Sequence, residues 1–169
     1  MKKVNIIISV LLIFLSACGY RFSGTGKFPT GVEKIFITML KNNTNETGVE
    51  IKATNALIYE FSRNGVTIVK DADKADAVLS GNVTSLRTET IARKTSNISS
   101  ERRVYVNLDL KMMTGSGRIL WSGRGITDRE TYQVTSGNES STDTKKKKAV
   151  EDLLKRLSET VYQRITDDF

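Results

Sequence analysis

The nucleophilic and titratable side chains of this sequence offer few of the combinations that catalysis uses. The chain contains no histidine and a single cysteine, Cys18. Zinc, copper and haem sites draw mainly on imidazole and thiolate ligands, and the Ser-His-Asp and Cys-His nucleophile systems require an imidazole. The sequence therefore predicts no metal ligands and no catalytic residues of these kinds.

Carboxylates and hydroxyls remain as candidates for a hydrolase. Such an enzyme would use a pair such as Glu89 and Asp109, or a serine such as Ser62 with a lysine, but no spacing marks a pair. The acidic stretch from Asp71 to Asp76 lacks the glycine and the terminal glutamate of an EF-hand calcium loop. We therefore interpret that stretch as a solvated turn, and we expect a binding protein in place of an enzyme.

A first group of basic residues surrounds the segment that joins two long predicted strands. Guanidinium groups suit phosphate because their planar forks donate two parallel hydrogen bonds. A phosphorylated lipid head group is therefore a fitting target, and ordinary solvated loop charge is the alternative. The group consists of Arg87, Arg93, Lys94, Arg102 and Arg103. Within it we assign ligand binding to Arg87, Arg93 and Lys94.

A second basic group, which we call the lysine run, consists of Lys145, Lys146, Lys147 and Lys148. The sequence places the run where a C-terminal helix begins, with a serine or aspartate within residues 140–143 as the helix cap. Cations oppose the helix dipole at that position. A bound phosphate or acidic partner would compensate this cost, and a solvated charge run is the alternative.

The N-terminus has the layout of an export signal, because two lysines precede an apolar stretch from Ile6 to Phe14. The stretch is shorter than the about 20 apolar residues that a membrane-spanning helix needs. Residues 15–18, Leu-Ser-Ala-Cys, resemble the bacterial lipobox. This resemblance predicts residues 1–17 as a cleaved signal peptide and Cys18 as the site of a diacylglycerol and an N-acyl lipid, which together give stable anchoring. An ordinary secretory signal is the alternative.

Size and charge narrow the class of partner. Removal of residues 1–17 would leave 152 of the 169 residues, which is the size of one domain. We assign residues 18–31 to a lipid-anchored tether and residues 32–169 to a single domain. Two of the 26 basic residues are in the signal, so the mature part contains 24 basic and 19 acidic residues. This balance suits anionic lipid or a phosphate-bearing glycolipid, and nucleic acid is the least expected partner of an exported chain.

Residue periodicity predicts five strands and two helices. A helix is expected from a capping box at Thr47 and Glu50 to Gly65, which would supply a left-handed C-terminal cap. Apolar and polar residues alternate most clearly over residues 104–112, and apolar spacing over residues 150–165 predicts the second helix. The predicted order is β-α-β-β-β-β-α. The simplest architecture is an α+β fold with two helices on one face of a four- to five-stranded mixed sheet.

Several stretches together resemble the LptE family of lipopolysaccharide-assembly lipoproteins. The similarity begins at Cys18-Gly19-Tyr20-Arg21-Phe22 and includes the strand of residues 32–40 and the asparagine-rich turn before the helix of residues 49–65. It continues through Leu79-Ser80-Gly81-Asn82-Val83 and into the C-terminal helix. The resemblance covers nearly all of the mature chain, and it rests more on the order of elements than on any single motif.

This resemblance implies an outer-membrane lipoprotein that sits in the lumen of a large β-barrel, the LptD translocon, and helps lipopolysaccharide reach the outer leaflet. It would bind lipopolysaccharide near the tip of the long hairpin, where Arg93 and Lys94 lie, and would plug the barrel without covalent chemistry. No cofactor is implied beyond the lipid on Cys18, and the domain would face the periplasm or the barrel lumen. The alternative is an envelope lipoprotein of the curli-secretion or TolB N-terminal type, which the stretch from Ala75 to Gly81 also resembles.

Overall fold

The computed structural model describes residues 28–29, 31–93, 99–135 and 137–168. The predicted signal peptide, Cys18 and most of the predicted tether lie outside the described residues, as does Lys94. The predictions for the N-terminus therefore stay predictions. No described helix combines the length and the apolarity that crossing a bilayer requires.

The described part of the chain forms a sheet of six strands: β1 (Lys34–Ile37), β2 (Lys41–Asn42), β3 (Thr67–Ile68), β4 (Ala77–Arg93), β5 (Ser99–Thr114) and β6 (Ile119–Thr135). Their order across the sheet is β3-β1-β4-β5-β6, and β2 also pairs with β4. Two helices, α1 (Val49–Arg63) and α2 (Glu139–Asp167), pack on one face of this sheet. The α+β class predicted from the sequence is confirmed, with β2 as an additional short strand.

The three long strands form an antiparallel meander. They contain 17, 16 and 17 residues, so each is about 55 Å long at about 3.4 Å per residue. A tight turn joins β5 to β6 at the glycine-rich segment of residues 114–117. The short strands β1 and β2 run parallel to β4. The sheet is therefore mixed, and its long strands extend well beyond the part that β1 to β3 cover.

The helix-covered face of the sheet supplies the core. The even-numbered residues of β5 from Val104 to Met112 are all buried, so the alternation predicted for this strand is confirmed. From α2, Leu153, Leu157 and Val161 face them, each at most 1% exposed. Burial of one aliphatic side chain contributes about 1.5–3 kcal/mol to folding. We call the other side of the sheet, which no described helix covers, the open face.

The start of α1 differs from the prediction. Its N-cap is Gly48, which adopts φ +83° and offers no side-chain hydrogen bond, so the predicted capping box of Thr47 and Glu50 is wrong. The Glu50 carboxylate instead accepts a hydrogen bond of 2.7 Å from the Asn42 side-chain amide, which ties the helix to β2. The predicted end of the helix is confirmed, because Asn64 is the C-cap and Gly65 follows it with φ +84°.

The start of α2 lies earlier than predicted. The helix begins at Glu139, and the Asn138 side chain caps it by accepting a 2.8 Å hydrogen bond from the backbone N–H of Ser141. The prediction that the lysine run begins the helix, with a cap within residues 140–143, is therefore wrong. The run lies in the second and third turns, where the dipole acts more weakly on it.

The acidic stretch before β4 forms an exposed turn, as predicted, with one 3-10 turn over Ala72–Lys74. Its last carboxylate, Asp76, accepts hydrogen bonds from the backbone N–H groups of Glu33 and Lys34 at 2.9 and 2.8 Å. These two bonds lower the pKa of the Asp76 carboxyl. The stretch therefore fastens the start of β1 to the start of β4.

Phe28, inside the predicted tether, packs onto the domain. Its ring lies 6.0 Å from that of Phe61 in α1 and 6.3 Å from that of Tyr162 in α2. The latter two rings meet edge to face at 5.3 Å. Aromatic pairs of this kind contribute about 0.5–1.5 kcal/mol beyond their buried area. The chain just before β1 is thus held against both helices.

Candidate ligand-binding surface

We call the end of the molecule at which β4 leads into β5 the hairpin end. There Arg93 pairs with Ser100, and Ser99 pairs with Thr135, the last residue of β6. Because α2 begins four residues after Thr135, its first turns lie at the same end. The Lys145 ammonium donates a 2.9 Å hydrogen bond to the Thr135 hydroxyl. The fold therefore brings together the two basic groups that the sequence presents far apart.

Arg87 lies on the open face, six residues along β4 from Arg93, which corresponds to about 20 Å. Its guanidinium carbon is 4.5 Å from the centre of the Tyr105 ring, which is a cation–π contact. The register places Arg129 directly across from Tyr105, and residues opposite each other share a face. The Glu89 carboxylate is 3.8 Å from Arg87 Nε, so it balances the charge of Arg87 only in part. Two guanidinium groups flanking one aromatic ring form a surface that attracts an anionic group.

Arg102 and Arg103 lie on opposite sides of the sheet, because neighbouring residues of a strand point to opposite faces. Arg102 lines a depression of about 420 Å³ on the helix side, together with Tyr132 and Lys146. Arg103 lies on the open face, where its Nε is 3.4 Å from the Thr131 hydroxyl. Basic side chains therefore occupy both sides of the hairpin end.

Three members of the lysine run form ion pairs within the domain. The pair of Lys146 joins α2 to the loop that precedes α1, and the other two lie along α2 itself. The hydrogen bond between Lys147 and Asp143 raises the pKa of the lysine and lowers the pKa of the aspartate. These contacts offset much of the positive charge of the run. The pairs are Lys146–Glu46 at 2.6 Å, Lys147–Asp143 at 2.7 Å and Lys148–Asp152 at 2.5 Å.

A sequence profile of the LptE family, described as lipopolysaccharide-assembly, matches residues 32–168. The chain belongs to the LptE family. The resemblance found in the sequence is thereby confirmed, and it places the chain in a family of assembly lipoproteins. No functionally curated protein matches the sequence significantly.

Solved structures of bacterial lipoproteins share the fold of this LptE-family chain. A minor lipoprotein from Acinetobacter baumannii superposes with a TM-score of 0.60 at 15% identity, covering 81% of this chain and 92% of the other. Rare lipoprotein B from Shewanella oneidensis has a TM-score of 0.52 at 16% identity, covering 78% and 96%. Lipoprotein B from Nitrosomonas europaea has a TM-score of 0.52 at 13% identity, covering 84% and 86%. At such identities the likeness concerns the fold.

Of the site residues predicted from the sequence, the structure describes Arg87 and the lysine run in full. The backbone of Arg93 ends β4 at the hairpin end. The Arg93 side chain and Lys94 lie outside the described residues. The binding role assigned to Arg87, Arg93 and Lys94 stays a prediction, and so does that of the lysine run.

The carboxylates considered for a hydrolase lie far apart. Glu89 is opposite Arg103, and Asp109 lies six residues further along β5, which corresponds to about 20 Å. A general acid and a general base must both reach the reacting group by a hydrogen bond or through one water. These two carboxylates therefore do not form a catalytic pair in the LptE-family fold.

Sequence reasoning missed Tyr105 and Arg129 as parts of the surface around Arg87. The alternation of β5 already places Tyr105 on the polar side of that strand, so this residue could have been identified from the sequence. Arg129 comes opposite Tyr105 only through the β5–β6 register, which shifts between Leu108 and Leu110. A bulge of this kind cannot be located from the alternation of one strand.

Proposed function

We propose that this LptE-family lipoprotein binds lipopolysaccharide and plugs and assembles an LptD-like β-barrel, which inserts lipopolysaccharide into the outer leaflet of the outer membrane. The observation that carries the proposal is the convergence of basic residues from β4, β5 and α2 at the hairpin end, in a chain whose family is described as lipopolysaccharide-assembly. The protein acts by binding and positioning, without a catalytic residue, a metal ion or a cofactor.

The hairpin end meets the anionic groups of lipopolysaccharide. Arg87 contacts the Tyr105 ring, Arg93 ends β4, and Lys94 is the next residue in the sequence. Guanidinium groups bind phosphate bidentately, and an ammonium adds charge without fixing orientation. The lysine run is a secondary patch, in which Lys145 donates to a hydroxyl and the other three lysines stabilise the domain through ion pairs.

The lipid on Cys18 holds the protein at the inner surface of the outer membrane. A diacylglycerol together with an N-acyl chain gives stable anchoring, whereas a single chain gives reversible binding. Residues 1–17 are removed, residues 18–31 form the tether, and residues 32–169 form the domain that faces the periplasm or enters the barrel lumen. The Phe28 ring packs against α1 and α2, so the free length of the tether ends before this residue.

Charge reversal at the tip tests the lipopolysaccharide site. In the variant Arg93→Glu with Lys94→Glu, we expect the dissociation constant for lipopolysaccharide to rise at least about tenfold, which corresponds to the loss of one charge-assisted contact. The measurement is made at moderate salt, because exposed charges are screened as ionic strength rises.

The matched control for this variant is Lys70→Glu with Arg164→Glu, which reverses two exposed charges outside the hairpin end. The control should bind lipopolysaccharide as the wild type does, and both variants should keep the thermal unfolding transition and the association with the barrel. If the tip variant binds as tightly as the control, Arg93 and Lys94 are not the site.

A further inference from the structure

A polar depression on the open face, nearer the β5–β6 turn than the hairpin end, belongs to neither basic group. Its volume is about 610 Å³, within the about 300–1,000 Å³ range of pockets that bind small ligands. It lies where the junction of β1 and β2 meets β4, β5 and β6. The polar and charged side chains that line it include those of Lys41, Asn82, Asp109, Lys111, Ser122 and Arg124.

Three cations with no carboxylate partner line this depression. In the ranges that the structure describes, Lys41, Lys111 and Arg124 form no salt bridge. The one carboxylate that shares the depression, Asp109, already accepts a 2.8 Å hydrogen bond from the backbone N–H of Gly125. The depression therefore carries net positive charge, unlike the lysine run with its internal ion pairs. Such a concave basic surface attracts an anion.

Neutral hydrogen-bonding groups lie between these cations. Ser80 and Ser122 carry hydroxyls, and Asn82 carries an amide. The Ser80 hydroxyl oxygen is enclosed, so Ser122 and Asn82 supply the neutral groups that a ligand in the depression would contact. Hydroxyls and amides placed among cations match a ring that carries several hydroxyl groups and one anionic group.

We propose that the depression binds one anionic sugar unit, bearing a carboxylate or a phosphate. This inference rests on the proposed function and deepens it, because lipopolysaccharide is a glycolipid with anionic groups on its saccharide. Ten residues of β5 separate Asp109 from Ser99, so the depression is about 34 Å from the hairpin end. A saccharide would therefore contact this LptE-family protein at a second place along the open face.

The test uses the whole mature chain and the phosphorylated oligosaccharide obtained by complete deacylation of lipopolysaccharide. In the variant Lys111→Gln with Arg124→Gln, we expect the dissociation constant measured by calorimetry to rise about tenfold or more. The matched control, Lys70→Gln with Arg164→Gln, removes two charges that are exposed and outside the depression, and it should bind as the wild type does. An unchanged unfolding transition verifies that all variants are folded.

Three results would overturn this inference. The first is unchanged oligosaccharide affinity in Lys111→Gln with Arg124→Gln. The second is binding of inorganic phosphate as tight as that of the oligosaccharide, since the site would then recognise phosphate and no sugar. The third is that the same variant loses association with the barrel while its oligosaccharide affinity is unchanged, which would make the open face a protein-binding surface.

Failure of this second saccharide site can be distinguished from failure of the proposed function. If intact lipopolysaccharide still binds in a manner sensitive to Arg93 and Lys94, and the barrel still associates, the proposed function stands although the second site fails. If neither intact lipopolysaccharide nor the barrel binds the wild-type chain, the proposed function fails as well.

Discussion

Charge pairing distinguishes the single residues that hold the domain together from those that remain available to a ligand. Lys146 and Lys147 pair with acidic neighbours, and Arg156 contacts both Asp128 and Glu130, at 2.8 and 2.7 Å. On the open face Arg87 has only the Glu89 carboxylate at 3.8 Å, and Arg103, Lys111 and Arg124 form no salt bridge among the described residues. Cations without an ion pair therefore include Arg103, Lys111 and Arg124 on the open face, which no described helix covers.

The sequence alone could not make this distinction. The lysine run and the arginines of the hairpin are equally basic in the sequence, but the partner of Lys146 is Glu46, which lies 100 residues away along the chain. Pairing over such a separation depends on tertiary structure. Arg102 and Arg103 differ for a simpler reason, since strand alternation puts them on opposite faces, and that signal was readable in the sequence.

Asp76 gives a pH-dependent prediction. Its two backbone hydrogen bonds lower its pKa below the value of 3.8 for an unperturbed aspartate, so the stability that it contributes is present above that value and is lost as pH falls through the lower, folded pKa. We expect Asp76→Asn to lower the unfolding temperature at neutral pH, and we expect the difference from the wild type to shrink as the pH falls below 4. Thermal unfolding of both proteins across this pH range measures the difference in unfolding temperature. A difference that stays constant with pH would contradict a stabilising role of the Asp76 carboxylate.

Among the elements, the β4–β5 hairpin determines where the candidate site lies. Its length was predictable in part, because the alternation of β5 is uninterrupted in sequence. Its bulges were not predictable, and they decide which residues of β4 share a face with Tyr105. Helix α1 shows the same contrast between predictable and unpredictable features. Its end could be predicted from Gly65, whereas its start at Gly48 has no capping side chain that the sequence would reveal. Elements with a strong local signal were predicted, and boundaries that depend on neighbouring elements were not.

Close approach of β4 and β5 at Gly81 gives a prediction for the hairpin. A Cβ atom at this position would overlap the backbone oxygen of Asp109 and lie 2.6 Å from a Leu110 methyl group. We expect Gly81→Ala to lower the free energy of unfolding by about 1–3 kcal/mol, as overpacking typically does. Gly115→Ala is the matched control, because no atom lies within 4 Å of its Cβ and its φ is not positive. Chemical denaturation measures the free energy of unfolding of both variants. Equal values for the two variants would show that β4 and β5 can move apart at Gly81 at little cost.

For the whole molecule, the architecture places basic residues at one end of a sheet about 55 Å long and a second basic depression on its open face. The α+β class and the LptE relationship were predictable, because they depend on the order of strands and helices, which local patterns encode. The barrel partner could not be derived from any residue of this chain. Its identity comes from family membership and stands as part of the proposed function.

Association with a β-barrel is measured by affinity capture of the full-length, lipidated chain from detergent-solubilised outer membrane. We expect a stoichiometric complex with one β-barrel protein of LptD size. Lipopolysaccharide should co-purify with this complex, in a smaller amount for the variant Arg93→Glu with Lys94→Glu. Recovery of the chain without a barrel, or as self-assembled rings of its own subunits, would rule out the proposed function.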